Sequence, residues 1–392
     1  MRSVRKQHIQ RGVCIVLAAA MAAGGAFPAF AQRSPDFART EEEWARLRDD
    51  NLEFDEIPDL IYEYNSTVLQ NSIDYYQNYR GKTSTEIAES YYEAAEQIAE
   101  RLEFPDADSS NYASAVSQYL NSQISYERLM EQGDSNTNDG DIVLLQNMRT
   151  EANLAKQAQD QMISYWSQLG QLDTLRANVS QAEEDLNAVD LRISAGTATA
   201  ASRASAEESL LSAQASLTSA ESSLASLKEN LCLSMGWAYG APVNICALPE
   251  PDEAAMNAID LAGDIERAKE NNYSLKITKR QLDNARTGSV TETLTETKRM
   301  SEESIASNVS SLYQALQLAR SSYAQALEAL TIQQTAMNTA DRKKSAGTIT
   351  QNSWNQIRTG LVRAQVTANT RKLDVLKAFV DYNWAVSGLA SV

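Results

Sequence analysis

Residues 190–199 read DLRISAGTAT and residues 341–350 read DRKKSAGTIT, a constant 151 positions apart. Each stretch interrupts a helical pattern. Ahead of the first, Leu172, Leu175, Val179, Ala182, Leu186, Val189 and Ile193 recur by alternating steps of three and four, which is a heptad seam. Behind it the seam resumes with Ala206, Leu210, Ala213, Leu217, Ala220, Leu224, Leu227 and Leu231. Two seams joined by a short turn predict an antiparallel helical hairpin, in which Gly196 supplies the positive φ that ends the first helix and Thr197 or Thr199 caps the second. The second stretch lies between the seam Ile305, Val309, Leu312, Leu316, Ala319, Tyr323, Ala326, Leu330 and a returning helix opened by Ile357, Leu361, Ala364 and Ala368. The chain is therefore internally duplicated.

A second set of landmarks lies upstream in each half. Asn65, Leu69, Asn78 and Arg80 match Asn271, Leu275, Asn284 and Arg286 at an offset of 206, so the first half carries 55 extra residues between its landmarks. These fall around residues 83–138 and read as an added helix pair. The expectation is an all-α chain of two tandem repeats, about 57–241 and 262–392, joined by a linker at about 242–261, in one elongated helical domain spanning 32–392. Incoming helices of about 45 residues would each be about 65 Å long. Alanine-rich seams bury little area per residue, so packing among several helices, with assembly into an α-helical barrel on oligomerisation, is the expected route to stability.

Arg2, Arg5, Lys6 and Arg11 precede the apolar run 13–23, and Ala29-Phe30-Ala31 follows it. This order predicts a secretory signal peptide at 1–31. As a membrane anchor the run is short of the roughly 20 residues a spanning helix needs. Cys14 lacks the small-residue setting of a lipid-attachment site. Removing 1–31 takes away those four cations and no acid, leaving 31 basic against 52 acidic side chains, a net of −21. Such a chain repels phosphate backbones, which argues against nucleic-acid partners. The one histidine, His8, leaves with the signal peptide, and with it go the Ser-His and Cys-His nucleophile pairs and any imidazole ligand. No enzyme, cofactor or metal site is read from what remains.

Cys232 and Cys246 flank residues 233–245, and in an oxidising compartment they either close a short disulfide loop or stand as two separate buried thiols. Asp134, Asn136 and Asn138 have the spacing that opens a calcium loop, but Asp139 and Leu145 stand where its glycine and closing acid belong, so they read as a solvated turn. Tyr62, Tyr64, Tyr75, Tyr76, Tyr79, Tyr91 and Tyr92 read as packing between helices.

The duplicated S-A-G-T-x-T turns between heptad helices, together with A-x-x-N-N-x-x-L-K at 268–276, resemble the TolC-type outer-membrane efflux family over most of the chain, from about Pro58 onward. The resemblance implies three chains closing a twelve-helix tunnel, and two tip turns per subunit, Ser194, Ala195, Gly196, Thr197 and Thr199 in one and Ser345, Ala346, Gly347, Thr348 and Thr350 in the other. It further implies that these tips meet a periplasmic adaptor, which couples the tunnel to an inner-membrane exporter. The implied location is the cell envelope, at the outer membrane or in the periplasm.

The sequence departs from the family in two places. Where membrane-crossing strands are expected it has EQGDSNTNDGD at 131–141, read as a polar loop, and TGSVTETLTET at 287–297, which alternates but offers only Val290 and Leu294 as apolar residues. Neither fits a lipid-facing strand. Well-studied members have an Arg in the second tip turn and two Asp after it, where this chain has Ile349, Ser353 and Gln356, so no salt-bridge lock is implied. The sequence thus points to a passive extracytoplasmic conduit of an efflux or export system. The alternative is a non-conducting coiled-coil scaffold of the envelope.

Overall fold

A computed structural model describes residues 32–106 and 111–392. The signal peptide expected at 1–31 lies outside these. The described chain is mostly helical: α1 (Glu41–Leu47), α2 (Ile57–Tyr64), α3 (Ser66–Asp74), α4 (Ser84–Ala99), α5 (Tyr112–Ser135), α6 (Gly140–Ser194), α7 (Ala200–Ser234), α8 (Glu253–Asn257), α9 (Leu261–Asn271), α10 (Tyr273–Asn284), α11 (Gly288–Ser345) and α12 (Gln351–Trp384). Among the described residues the strand pairing consists of β1 (Asn51–Leu52) against β2 (Asn244–Ile245), two residues each and parallel. No described helix is long and apolar enough to cross a membrane.

Two compact units divide the chain, neither coinciding with a repeat. Of the described residues, 32–69, 157–249 and 351–362 form one, and 70–106, 111–156, 250–350 and 363–392 the other. In the first unit α6 and α7 run antiparallel, with Asp190 bonded to Arg203 at 2.9 Å and Arg176 3.5 Å from Glu221 further along. Every seam residue from Leu172 to Leu231 is buried or half-buried, although only Leu172, Val189, Leu224 and Leu231 are fully buried. In the second unit Ala268 and Leu275 pack against Ile305 and Val309 of α11 and against Tyr382 of α12 and Ala385 of the π-helical turn that follows it. Met256, Leu316 and Val375 form a neighbouring cluster. The order Ile305–Tyr382, Leu316–Val375 makes α11 and α12 antiparallel. α6 has 55 residues and α11 58, longer than the 45 expected, and α11 gains length because 288–297, in the stretch read as an outward connection, is itself helical.

Each repeat bends its first helical stretch at an asparagine. Asn65 accepts from the N–H groups of Thr67 and Val68 at 3.0 and 3.2 Å, and its amide donates to the Ser234 carbonyl at 2.6 Å. In the second repeat Asn272 accepts from the N–H of Leu275 at 2.9 Å and Asn271 donates to the Val386 carbonyl at 3.2 Å. Asn272, like Asn65, also donates to a backbone carbonyl, that of Ala390 at 2.8 Å, so it holds the equivalent place and the backbone offset at the bend is 207 and not the 206 of the sequence match. The π-helical turn Tyr75–Tyr79 restores 206 beyond it, since a π turn accommodates one extra residue. Gly236 and Gly388, both at positive φ, close the returning helices against these bends. A Cβ at Gly236 would stand 2.8 Å from Tyr64 Cβ, and one at Gly388 2.8 Å from the Asn271 carbonyl.

The extra residues of the first repeat are the helix pair α4 and α5. Thr83 and Glu86 form a capping box at the start of α4, Tyr92 donates to Asp134 at 2.8 Å, and the ring of Tyr92 fills the space a side chain at Gly133 would need. The polar loop expected at 131–141 is the end of α5, a short connection and the start of α6. That connection is fixed in place: Asp139 accepts from the Ile142 N–H at 2.9 Å, Arg280 Nε at 2.6 Å and Asn284 Nδ2 at 2.8 Å. The alternating stretch 287–297 is the first part of α11 and not strand-like. Thr291, Thr293, Thr295 and Thr297 each donate to the carbonyl four residues before, at 2.7–3.0 Å, which lets β-branched residues satisfy their hydroxyls inside a helix.

The N-terminal residues before the first repeat, unread in the sequence, also fold. Arg39 joins Asp59 at 2.9 Å and the fully buried Glu63 at 3.2 Å, and Ser34 N–H donates to Glu63. Trp44 is buried, donates to the Asp36 carbonyl at 2.7 Å and lies beneath Arg48. Of the tyrosines expected between helices, Tyr64 is in the core, whereas Tyr76 is 59% exposed, under Arg80 and edge-on to Tyr75.

Candidate docking site at the two helix turns

The first turn ends α6 with a Schellman closure. The Thr197 N–H reaches the Arg192 carbonyl at 2.8 Å, and the Gly196 N–H, with φ 71°, reaches the Ile193 carbonyl at 2.9 Å. The Thr197 hydroxyl donates to the same Arg192 carbonyl at 3.0 Å, and the Ser194 hydroxyl to Asp190 at 3.0 Å. Thr199, one of the two candidates for the cap, begins α7: its hydroxyl accepts from the Ser202 N–H at 3.2 Å. Thr197 instead bonds backwards. Both threonines are thus spent on the backbone, which leaves the turn rigid and its outer surface small.

The second turn repeats the bonds that close the helix. The Thr348 N–H reaches the Lys343 carbonyl at 2.9 Å, and the Gly347 N–H, φ 67°, reaches the Lys344 carbonyl at 3.0 Å. The Thr348 hydroxyl donates to Lys343 at 3.0 Å and the Ser345 hydroxyl to Asp341 at 2.9 Å. Ser194, Ala195, Gly196, Thr197 and Thr199 are exposed, as are Ser345, Ala346, Gly347, Thr348 and Thr350. A Cβ added at either glycine meets nothing within 4 Å. Small residues with satisfied backbones and open surroundings form a flat, preorganised surface suited to a close approach by another helix pair. They do not form a pocket for a small molecule, and no nucleophile or acid–base pair converges on either turn.

The flanks of the turns differ. At the first, Arg203 is held by Asp190 and by Glu207, and Leu191 is 73% exposed. At the second, the last helical turn carries Arg342, Lys343 and Lys344, all exposed. Sequence reasoning selected the turns and passed over this contrast, which only the shared geometry makes meaningful.

Elsewhere, Cys232 and Cys246 are free thiols. Burial pushes the Cys232 thiol up to about 11, and burial followed by the nearby Glu53, Glu56 and Asp49 carboxylates raises that of Cys246. The calcium-like residues serve the connection before α6: Asn136 donates to the Ser84 and Asn138 carbonyls at 2.8 and 3.0 Å, and Asp134 accepts from Tyr92. Among the described residues no three His, Cys, Asp or Glu side chains converge to hold a metal ion.

No protein-family model matches the sequence, and no curated protein matches it. Solved structures do match. A membrane protein from Pseudomonas aeruginosa is similar at a TM-score of 0.54 and 11% identity, over 85% of this chain and 93% of that one. The outer-membrane channel OprN is similar at a TM-score of 0.53 and 9% identity, over 93% of this chain and 98% of that one. At such identities the likeness is one of fold.

Proposed function

We propose that this chain, which shares the fold of TolC-type outer-membrane channels over most of its length, is a passive conduit component of a multi-part efflux or export system in the cell envelope. It assembles as a homotrimer and docks to an adaptor protein through the turns at 194–199 and 345–350. A membrane-bound exporter supplies the driving force. The observation that carries the reading is that two exposed turns, 151 residues apart in stretches of otherwise different sequence, close their helices with the same bonds. A helix end needs only one of several closures, and retention of the same one twice, with the same small exposed residues, fits a surface shaped by a partner.

The half-buried seams support assembly. Most seam positions of α6 and α7 keep part of their surface in one chain, and a ring of helices would cover it. Light scattering on residues 32–392 in detergent-free buffer tests this. A soluble trimer is the expected result. A chain that stays monomeric at high concentration would sink the conduit.

A non-conducting envelope scaffold is the second reading, and a specific feature favours it. Residues 84–99, 112–135 and 288–297 are helical where a membrane-crossing connection would need strands. Single-channel conductance in planar bilayers separates the two, since a scaffold gives none.

A further inference from the structure

The two turns share one backbone but carry different chemistry at equivalent positions. With the 151-residue offset, Leu191, Arg192 and Ile193 correspond to Arg342, Lys343 and Lys344. Residues 190–199 hold one acid and one base, whereas 341–350 hold three bases and one acid, Asp341, in a chain whose net charge is −17.

We infer that the second turn docks a carboxylate-rich helix end of a partner protein through Arg342 and Lys343, while the first turn makes an apolar contact through Leu191. This rests on the reading of the turns as docking points and adds the chemistry of each. Cations at a helix C-terminus are favoured by the backbone dipole, but α6 closes with the same bonds carrying Arg192 alone in its last turn. The additional cations are therefore not needed for the turn. They add long-range attraction, which selects the partner and speeds encounter. Lipid headgroups fit less well: of residues 341–350 the one large apolar side chain, Ile349, is half-buried, so no residue is positioned to insert into a bilayer. Nucleic acid is disfavoured by the charge of the rest of the chain. At the first turn, Asp190 and Glu207 occupy Arg203 and leave Leu191 as the prominent outward group.

The test uses the full-length chain and fluorescently labelled poly-L-glutamate, followed by anisotropy. Wild type is expected to bind, with affinity falling as salt is added. The double variant Arg342→Glu, Lys343→Glu, at exposed positions that leave the fold intact, is expected to bind about tenfold or more weakly. Leu191→Ser should bind as wild type does. Absence of binding, or equal binding by the charge-reversed chain, overturns the inference. So does co-sedimentation with phosphatidylglycerol vesicles that the double variant abolishes while poly-L-glutamate is not bound, because the cations then serve lipid. Capture of an adaptor encoded beside this chain separates the inference from its premise. Equal capture by wild type and double variant overturns the charge assignment and leaves docking standing. Capture by neither overturns docking, and the charge assignment with it.

Discussion

Glu56 precedes α2 with 4% of its surface exposed, and burial pushes its carboxyl up to about 7 against the pull of the Glu53 N–H and the Arg46 guanidinium. A folded-state value above the usual 4.5 means the group's contribution is fully present below about pH 4.5 and is lost as pH rises through about 7. Up to on the order of 3 kcal/mol is at stake. Glu56→Gln should therefore be more stable than wild type at pH 8 by about 1–3 kcal/mol, with the advantage gone near pH 4.5. Urea titrations at the two pH values check this, and a pH-independent difference would count against it. The glycines divide by the same kind of local reasoning. Gly196 and Gly347 have open space, so alanine costs only the positive φ, about 1 kcal/mol. Gly236 and Gly388 also face backbone or Cβ atoms at 2.8 Å, so alanine there should cost at least about 2 kcal/mol more, read as a larger drop in melting temperature.

Among the elements, the pair α4 and α5 depends on one carboxylate at its base. Burial works against the charge of Asp139, but Asn284, the Ile142 N–H and Arg280 together hold its carboxyl below the usual range. Asp139→Ala would remove the cap of α6 and take one acceptor each from Arg280 and Asn284 of α10, which keep Asp141 and the Thr137 carbonyl. Arg280 is 43% exposed and regains water, so the expected loss is about 2 kcal/mol and not the larger cost of a fully buried pair. Hydrogen exchange should show faster exchange in α5 and at the start of α6, with α7 unaffected. The threonine-rich start of α11 shows why the sequence misleads here. Alternating β-branched residues are the ordinary mark of a strand, and only a ladder of hydroxyl-to-carbonyl bonds reveals that the same residues are satisfied in a helix.

At the scale of the whole molecule, the proposed trimer brings together chains of like charge, each carrying −21 after loss of residues 1–31. Self-repulsion between them is screened by salt, so the assembled fraction should rise between low and physiological ionic strength, as sedimentation velocity would register. A fraction that falls with salt would instead point to ion pairs as the main contact. The sequence by itself determined the features set by local periodicity: the heptad seams, the helix end at Gly196, the duplication, and the helix pair added around 83–138. Each depends on residues within a few helical turns of one another, so spacing alone carries the information. The tertiary structure decided what depends on distant partners. It turned 288–297 into helix, shifted the register to 207 at the asparagine bend, folded residues 32–56 onto α2 through Arg39, and anchored Asp139 to α10 some 140 residues later. Those outcomes are fixed by hydrogen-bond donors and acceptors finding each other across the chain, and no periodicity in the sequence encodes which of them will meet.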